Sequence, residues 1–228
     1  MELISLHIPK TAGTAFRHHL QAAYGSEAVA LDYGDKVTSP DSLYQTDFER
    51  WKSGNAATAA SLVGFSSVHG HFWAGKYFPY FPSARKILWL RDPVRRVVSL
   101  YHFWQTPDPG DSHPTRALLI REKLSLLAFA ELPNIRNQIT SYFVKGYGPE
   151  SFDFIGFQDR FAEDLEAFCA LMGWPRQTTQ VINATSTDGY TRSQPNRPTL
   201  DQIAQWNAAD VDWYNAARAL RLRRQPPD

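Results

Sequence analysis

The chain reads as an α/β protein, a parallel sheet covered by helices on both faces, and three observations predict it. Short apolar runs of strand length alternate with longer segments whose apolar residues recur at three- and four-residue steps. Two of those runs, Leu3 to Leu6 and Arg85 to Leu90, pass straight into a helix through turns rich in groups that hold anions. The length of 228 residues, 43% apolar and 14% aromatic, is enough to bury a full core within one domain spanning 1–228.

Taken in order, Leu3 to Leu6 is the first strand, and Phe16, Leu20 and Ala23 mark the buried stripe of the helix after it. Residues 25–54 are polar, aromatic and rich in Asp and Ser, without clear periodicity, and read as an excursion over the edge of the site. Ala60 to Val68 and Arg85 to Leu90 are strands. Pro93 suits the first turn of a helix running to about Trp104, with Asp92 as its cap and Val94, Val97, Val98 and Tyr101 as its buried stripe. Thr106 to Thr115 is a loop by its proline, glycine and aspartate content. Helices are expected over Arg116 to Glu131 and Asn134 to Lys145, a strand over Phe152 to Phe157, and a helix over Phe161 to Met172. Thr199 and Gln202 read as a capping-box pair, and the last helix runs from about Ala209 to Arg221.

The turn His7-Ile8-Pro9-Lys10-Thr11-Ala12-Gly13-Thr14 has the chemistry of a phosphate cradle. Amides at a helix start, backed by the macrodipole, form an anion site. Lys10 adds a point charge, Gly13 allows close backbone approach, and Thr11 and Thr14 add hydroxyls. It is not a Walker A loop, because Lys10 precedes Gly13 instead of following the last glycine.

At these residues the chain resembles the sulfotransferases that use 3'-phosphoadenosine 5'-phosphosulfate, PAPS. His-Ile-Pro-Lys-Thr-Ala-Gly-Thr is similar to their 5'-phosphosulfate loop, and Arg91-Asp92-Pro93-Val94-Arg95-Arg96-Val97-Val98-Ser99 to their 3'-phosphate element. The likeness is nearest to the heparan sulfate 2-O- and 6-O-sulfotransferase type, in the manner of a bacterial relative. The resemblance implies a P-loop-NTPase-like sulfotransferase fold and PAPS as co-substrate. It implies that Pro9, Lys10, Thr11, Ala12, Gly13 and Thr14 hold the 5' side, and that Arg91 and Ser99 read the 3'-phosphate. Arg197, in the polar loop 180–197 that includes Asn183, Ser193 and Asn196, falls where the family closes over the nucleotide. Weaker likenesses lie in Phe154 to Phe157 with Phe161 to Leu165, in Asn137-Gln138-Ile139-Thr140, and in Asp210 to Tyr214.

Sulfuryl transfer to a hydroxyl requires a base, and the candidates lie in His69-Gly70-His71. The same tripeptide occurs in the 2-O-sulfotransferases, which implies His71 as base and His69 in support. Read without the family, two histidines at this spacing are also consistent with a strand-end pair satisfied by backbone, or with two metal ligands. For a metal no cysteine or acidic partner stands nearby at useful spacing. The aromatic group from Phe72 to Phe81 could face a sugar ring or pack in the core. His7 is expected to bond locally, His18 and His19 to lie on a solvated face, and His102 in a packed helix; His113 carries no role. Arg95 and Arg96 read as a solvated helix face, and Arg218 to Arg224 as a solvated helix end.

A net charge of +1 says little about partners by itself, no long basic run argues for nucleic acid, and no nucleic-acid partner is expected. The one cysteine, Cys169, reads as a small buried hydrophobe and rules out an internal disulfide. The start enters the first strand without a basic or long apolar stretch, so a signal peptide and a transmembrane segment are not expected, and the location expected is cytoplasmic. The reading is a PAPS-dependent O-sulfotransferase with a hydroxyl-bearing acceptor, a glycan or glycoconjugate, and no metal. A kinase-like phosphotransferase would need a Walker A lysine and a metal-binding acid, and a non-catalytic nucleotide- or sugar-binding module would need no base.

Overall fold

A computed structural model of the chain describes residues 1–33, 62–106, 114–175 and 195–224. Five parallel strands form one sheet: β1 (Leu3–Leu6), β2 (Val29–Asp32), β3 (Ser67–Gly70), β4 (Arg85–Leu90) and β5 (Phe154–Phe157), in the order β2-β3-β1-β4-β5. From the central β1 the chain goes out to the edge strand β2, comes back at β3, then crosses to β4 on the other side. The carboxyl ends of β1, β3 and β4 therefore open a crevice at a topological switch point, where ligands of such sheets bind.

Alternation along the strands divides the core. Leu3, Val29, Ile87, Trp89 and Phe154 pack beneath α1 (Gly13–Tyr24) and α5 (Phe161–Met172), against Phe16, Leu20, Leu165, Phe168 and the free, buried Cys169. Ile4, Leu6, Val68, Leu88, Leu90, Ile155 and Phe157 face the other way, onto Phe72, Tyr77, Phe78, Tyr142, Phe143 and Tyr214 of the segments 72–81 and 139–144 and of α7 (Ala208–Arg224). Among the aromatics after His71, Phe72, Trp73, Tyr77 and Phe78 are thus core, while Tyr80 is exposed. A third cluster joins α2 (Pro93–Trp104), α3 (Pro114–Arg121), α4 (Leu126–Ala130) and α6 (Arg197–Trp206).

Several expectations are corrected. β2 lies inside the segment read as an excursion; four residues are too short to show a period. The second expected strand is observed at Ser67–Gly70, with 60 and 61 outside the described residues, and β5 begins at Phe154. The expected helix 116–131 breaks into α3 and α4 because Lys123 turns left-handed, φ 48°. Over 134–145 there is a wide turn, Ile139–Phe143, closed by Val144 N–H donating to the Ile139 carbonyl at 2.9 Å, and Asn137 before it has φ 48°. The cap of α6 is Asn196, whose side chain accepts from the Thr199 amide at 3.0 Å. Most of the loops expected at 106–115 and 180–197, with His113, Asn183 and Ser193, lies outside the described residues.

On three faces expected to be solvated some side chains turn inward, while Arg95, His18 and Arg223 are exposed as expected. On α2 the inward stripe is Pro93, Arg96, Val97, Leu100 and Trp104, so Arg96 is fully enclosed and donates to Gln138 Oε1 at 2.9 Å. Asp210 neutralises it at longer range while accepting from the Ile139 and Thr140 amides at 3.0 and 2.8 Å. The polar groups of Asn137 to Thr140 are consequently committed to Arg96, Asp210 and Asn207. His19 is buried and packs toward Phe161. In the last helix Arg218 pairs with Asp159 at 2.5 Å and Arg221 with Asp164 at 3.3 Å, which binds α7 to the start of α5. Among the described residues no helix is long and apolar enough to cross a membrane.

The edge strand β2 is seated by Gly70. A Cβ there would fall on the carbonyl of Asp32, well inside contact distance, and backbone cannot step aside as a side chain can. Gly70→Ala is expected to cost about 1–3 kcal/mol by overpacking, read as a Tm lower by roughly 3–10 °C at this chain length. An unchanged melting curve would show that β2 is not held at Gly70.

Candidate active site

The first loop is built by two left-handed residues, Lys10 and Ala12, both at φ 72°. For residues with a Cβ this conformation costs about 1–2 kcal/mol each, and such strain persists only where surroundings enforce it. Here the His7 amide donates to the Gly70 carbonyl at 2.8 Å, and Thr11 Oγ1 donates to the Ile8 carbonyl at 2.7 Å. The Thr11 hydroxyl thus staples the loop internally. Gly13 is required for a reason other than the one expected: a Cβ would collide with the His7 imidazole. The first bond of α1 is Phe16 N–H to the Ala12 carbonyl, and no side chain caps the helix, so the amides of Gly13, Thr14 and Ala15 have no partner among the described residues. Thr14 is exposed at the mouth, and Pro9 and Lys10 are half-buried. Lys10 Nζ rests 4.1 Å from the centre of the Phe103 ring on α2.

Beside this loop three histidines gather. His69 on β3 is buried; its Nδ1 shares a 2.7 Å hydrogen bond with Ser5 Oγ, its register neighbour on β1, and its ring stacks on His7 at 5.1 Å. It is a strut of the sheet end. His71 is half-buried, with its ring 4.4 Å from His7 and 4.7 Å from Tyr33. Its Nε2 is shielded from water and has no partner among the described residues. Burial lowers all three pKa values. His69 is pushed down to about 3, with the neighbouring His71 and Arg17 adding to the effect. His71 falls to about 4 against an opposing pull from Asp32, and His7 lies well below the usual value. All three rings are neutral near pH 7. Among the described residues no group of three His, Cys, Asp or Glu side chains is arranged to hold a metal ion.

Arg91 stands at the carboxyl end of β4, half-buried, its Nε without a partner among the described residues. Burial and the nearby Arg95 press its pKa down, and Asp92 partly offsets them. Asp92 caps α2 by accepting from the Arg95 amide at 2.8 Å. Ser99 is half-buried two turns along that helix. Arg197 is apart from this group: at the first turn of α6 its side chain is 85% exposed and pairs with Asp201 at 2.8 Å. The structure thus brings the loop, His69, His71 and Arg91 to neighbouring strand ends, and leaves Arg197 on an outer helix.

Sequence reading missed Asp32, Tyr33 and Lys76, and it named Tyr77 only as one of the aromatics after His71. Asp32 Oδ2 accepts from Lys76 Nζ and from Tyr77 OH, both at 2.6 Å, and Tyr33 OH is 3.3 Å from His7 Nδ1. The one available signal was the Val-Ala-Leu-Asp-Tyr run, apolar and then polar, at the end of a four-residue strand.

The chain matches no family model and no curated protein. Among solved structures it aligns with a sulfotransferase from Alicyclobacillus acidocaldarius, at 14% identity over 96% of this chain and 95% of that one, TM-score 0.46. It also aligns with mouse sulfotransferase SULT7A1 complexed with PAP, at 12% identity over 92% of this chain and 64% of that one, TM-score 0.42. Both alignments are loose, and the chemistry of the site rests on its own side chains.

Neutral buried histidines couple folding to pH. His7 and His69 refuse protons in the folded chain but accept them near 6.5 once unfolded. Their contribution to stability is complete above about pH 6.5 and is lost as pH falls toward the folded-state values, at about 1.4 kcal/mol per pH unit for each ring. Urea unfolding from pH 7 to pH 4 is expected to show that slope, and His69→Gln to flatten it by close to one proton. Wild type and variant sharing one pH dependence would contradict this.

Proposed function

We propose that the protein is a PAPS-dependent O-sulfotransferase that moves the sulfuryl group of PAPS to an acceptor hydroxyl, on a carbohydrate, by in-line displacement. The observation that carries this reading is the meeting, at adjacent strand ends, of three groups with different tasks. These are a strained turn with unpartnered amides and Lys10, an arginine with a desolvated and unpartnered Nε, and a neutral histidine with an unpartnered ring nitrogen. Two anion sites on the neighbouring turns after β1 and β4 suit a nucleotide that carries phosphate at both its 5' and 3' positions. A neutral imidazole beyond them suits a hydroxyl that must lose its proton.

In this reading the amides of Gly13, Thr14 and Ala15, with Pro9, Thr11 and Ala12 shaping the loop, hold the 5'-phosphosulfate. Arg91 and Ser99 read the 3'-phosphate, and Arg197 could contribute only if its outer helix end reaches the nucleotide. Lys10 stabilises charge on the bridging oxygen as the sulfur–oxygen bond breaks. Its contact with Phe103 is worth about 0.5–1 kcal/mol at a half-exposed site, less than the about 1.5–3 kcal/mol of a charge-assisted hydrogen bond to an anion. An anion is therefore a stronger partner for Lys10 than the ring is. His71 takes the acceptor's proton as the new oxygen–sulfur bond forms, and His69 keeps the strand end in register. A cytoplasmic enzyme of one domain over 1–228 is part of this reading, and a single, buried Cys169 agrees with the cytoplasmic location.

Labelled PAPS screened against glycans and small hydroxyl compounds tests the reaction itself; no transfer to any of them, together with no binding of 3',5'-phosphoadenosine, would overturn the proposal. In calorimetry, 3',5'-phosphoadenosine is expected to bind at least about tenfold more tightly than AMP, and Arg91→Ala to remove most of that margin. With an acceptor in hand, His71→Ala is expected to lower the turnover number by about a hundred to ten thousand at unchanged nucleotide affinity. Lys10→Ala should likewise reduce kcat far more than it weakens binding. A proportionate rise in KM at constant kcat would place Lys10 in ground-state binding alone.

A further inference from the structure

We propose that Tyr33, held at its hydroxyl by Arg17, is a positioning residue for His71, fixing and shielding the imidazole. This rests on the reading of His71 as the base. Histidines that transfer protons generally have the far ring nitrogen held by a carboxylate or carbonyl, which sets the tautomer and the direction of the ring. Among the described residues no hydrogen bond reaches the His71 ring. Aromatic packing takes that place: His7 lies against it at 4.4 Å and 56°, and the edge of Tyr33 meets it at 4.7 Å and 82°. A perpendicular contact of this kind biases a ring's orientation by roughly two- to tenfold.

Tyr33 can do this because it is itself fixed at both ends. On the backbone side, the preceding Asp32 is locked by Lys76 and Tyr77, and its carbonyl fills the space that Gly70 leaves open. On the hydroxyl side, Tyr33 lies 3.3 Å from His7 Nδ1 and is hydrogen-bonded by the Arg17 guanidinium. Arg17 rises from the second turn of α1, and helical side chains lean back toward the N-terminus, which brings its head over the histidines. Its Nε is buried without a partner among the described residues, and its charge bears on the Tyr33 hydroxyl. The Tyr33 ring, 36% exposed, forms the outer wall of the cluster. Across the sheet the order runs from Arg91 over β4 to the loop over β1, then His71 over β3 and Tyr33 over β2. Tyr33 therefore stands on the side of the base away from the donor contacts. The charged and titratable groups around His71 are His7, His69, Asp32 and Tyr33, with Arg17 beyond them on His7, His69 and Tyr33; of these Asp32 favours the protonated ring, while burial opposes it.

The test compares full-length wild type, Tyr33→Ala, Tyr33→Phe and Arg17→Gln, each checked by thermal melting. His71 is followed by NMR titration of its ring and by its rate of modification with diethyl pyrocarbonate, read by mass spectrometry. Tyr33→Ala is expected to raise the His71 titration point by one unit or more, to speed modification at least tenfold, and to leave the affinity for 3',5'-phosphoadenosine unchanged. Tyr33→Phe and Arg17→Gln each keep the aromatic ring and lose only the hydroxyl contact, so both should retain most of the wild-type behaviour. With an acceptor from the PAPS screen, Tyr33→Ala should lower kcat about tenfold or more at constant KM for PAPS, and move the acid limb of the pH–rate profile upward with the NMR value. An unmoved titration point and modification rate in Tyr33→Ala would overturn the proposal. So would a rise in kcat, which would make Tyr33 a lid, or an inactive Tyr33→Phe, which would make its hydroxyl the proton carrier. If His71→Ala proves fully active, the reading of the base fails, while the NMR and modification results still decide whether Tyr33 positions the ring.

Discussion

The site depends on how the first loop is laid over the imidazole of His7. Gly13 can close on that ring only because it has no Cβ, and the His7 amide at the same moment ties the loop to the end of β3. Thr11 then holds the Ile8 carbonyl, so the turn through Lys10 and Ala12 is fastened at both sides of its strained residues. Two left-handed residues cost together about 2–4 kcal/mol, and the two loop hydrogen bonds return only about 1 kcal/mol each. The remainder comes from seating the loop against a sheet end that is already packed. The result is a set of amides whose direction is set before any ligand arrives, the condition under which an anion site stabilises charge without reorganising.

The same packing explains why one polar cluster is neutral and the other charged. His7 and His69 are stacked, His71 packs tilted against His7, all three are desolvated, and a proton on any one would repel a proton on the others. The positive charge at the crevice is left to Lys10, Arg17 and Arg91, which stand around the rings. On the far side of α2 the enclosed Arg96 has no such freedom. It is met by Gln138 and by the longer-range charge of Asp210, and removing either partner leaves a buried cation exposed to the full desolvation penalty. That arrangement fastens the turn at 139–143 to α7 and α2, and so backs the face of the sheet opposite the histidines.

Strands β1, β4 and β5 and helices α1, α2 and α5 were legible because their apolar runs are bounded by clear turn residues, and the loop and His-Gly-His were legible because they follow strands. Four-residue β2 left no periodicity, so Asp32 and Tyr33 were invisible as neighbours of His71. Arg96 was misjudged because an arginine on an amphipathic helix is assigned to water unless its partners, 42 positions away at Gln138, are known. The break at Lys123 lacks a glycine or proline to announce it. His69 and His71, two residues apart and alike in sequence, differ only through tertiary surroundings: Ser5 holds one within the sheet, and the other projects past its end.

A base that titrates at about 4 is weak for work near neutral pH, and burial is the reason. On the proposed reading, the negative charge of the donor offsets that burial. A unit negative charge about 5 Å from the ring, at an effective dielectric of about 20, favours the imidazolium by about 3 kcal/mol, which is roughly two pK units. On that reading, sulfuryl oxygens beside the ring raise the His71 pKa from about 4 toward the range where proton transfer is most efficient. The ring is then held neutral by the fold until the donor is in place, and gains basicity only in the complex in which a proton has to be taken. A histidine exposed to water would gain far less from the same charge, because screening would remove most of the interaction. The dry, stacked cluster and the anion-binding loop are in this sense one device, since the desolvation that weakens His71 alone is what lets a bound anion restore it.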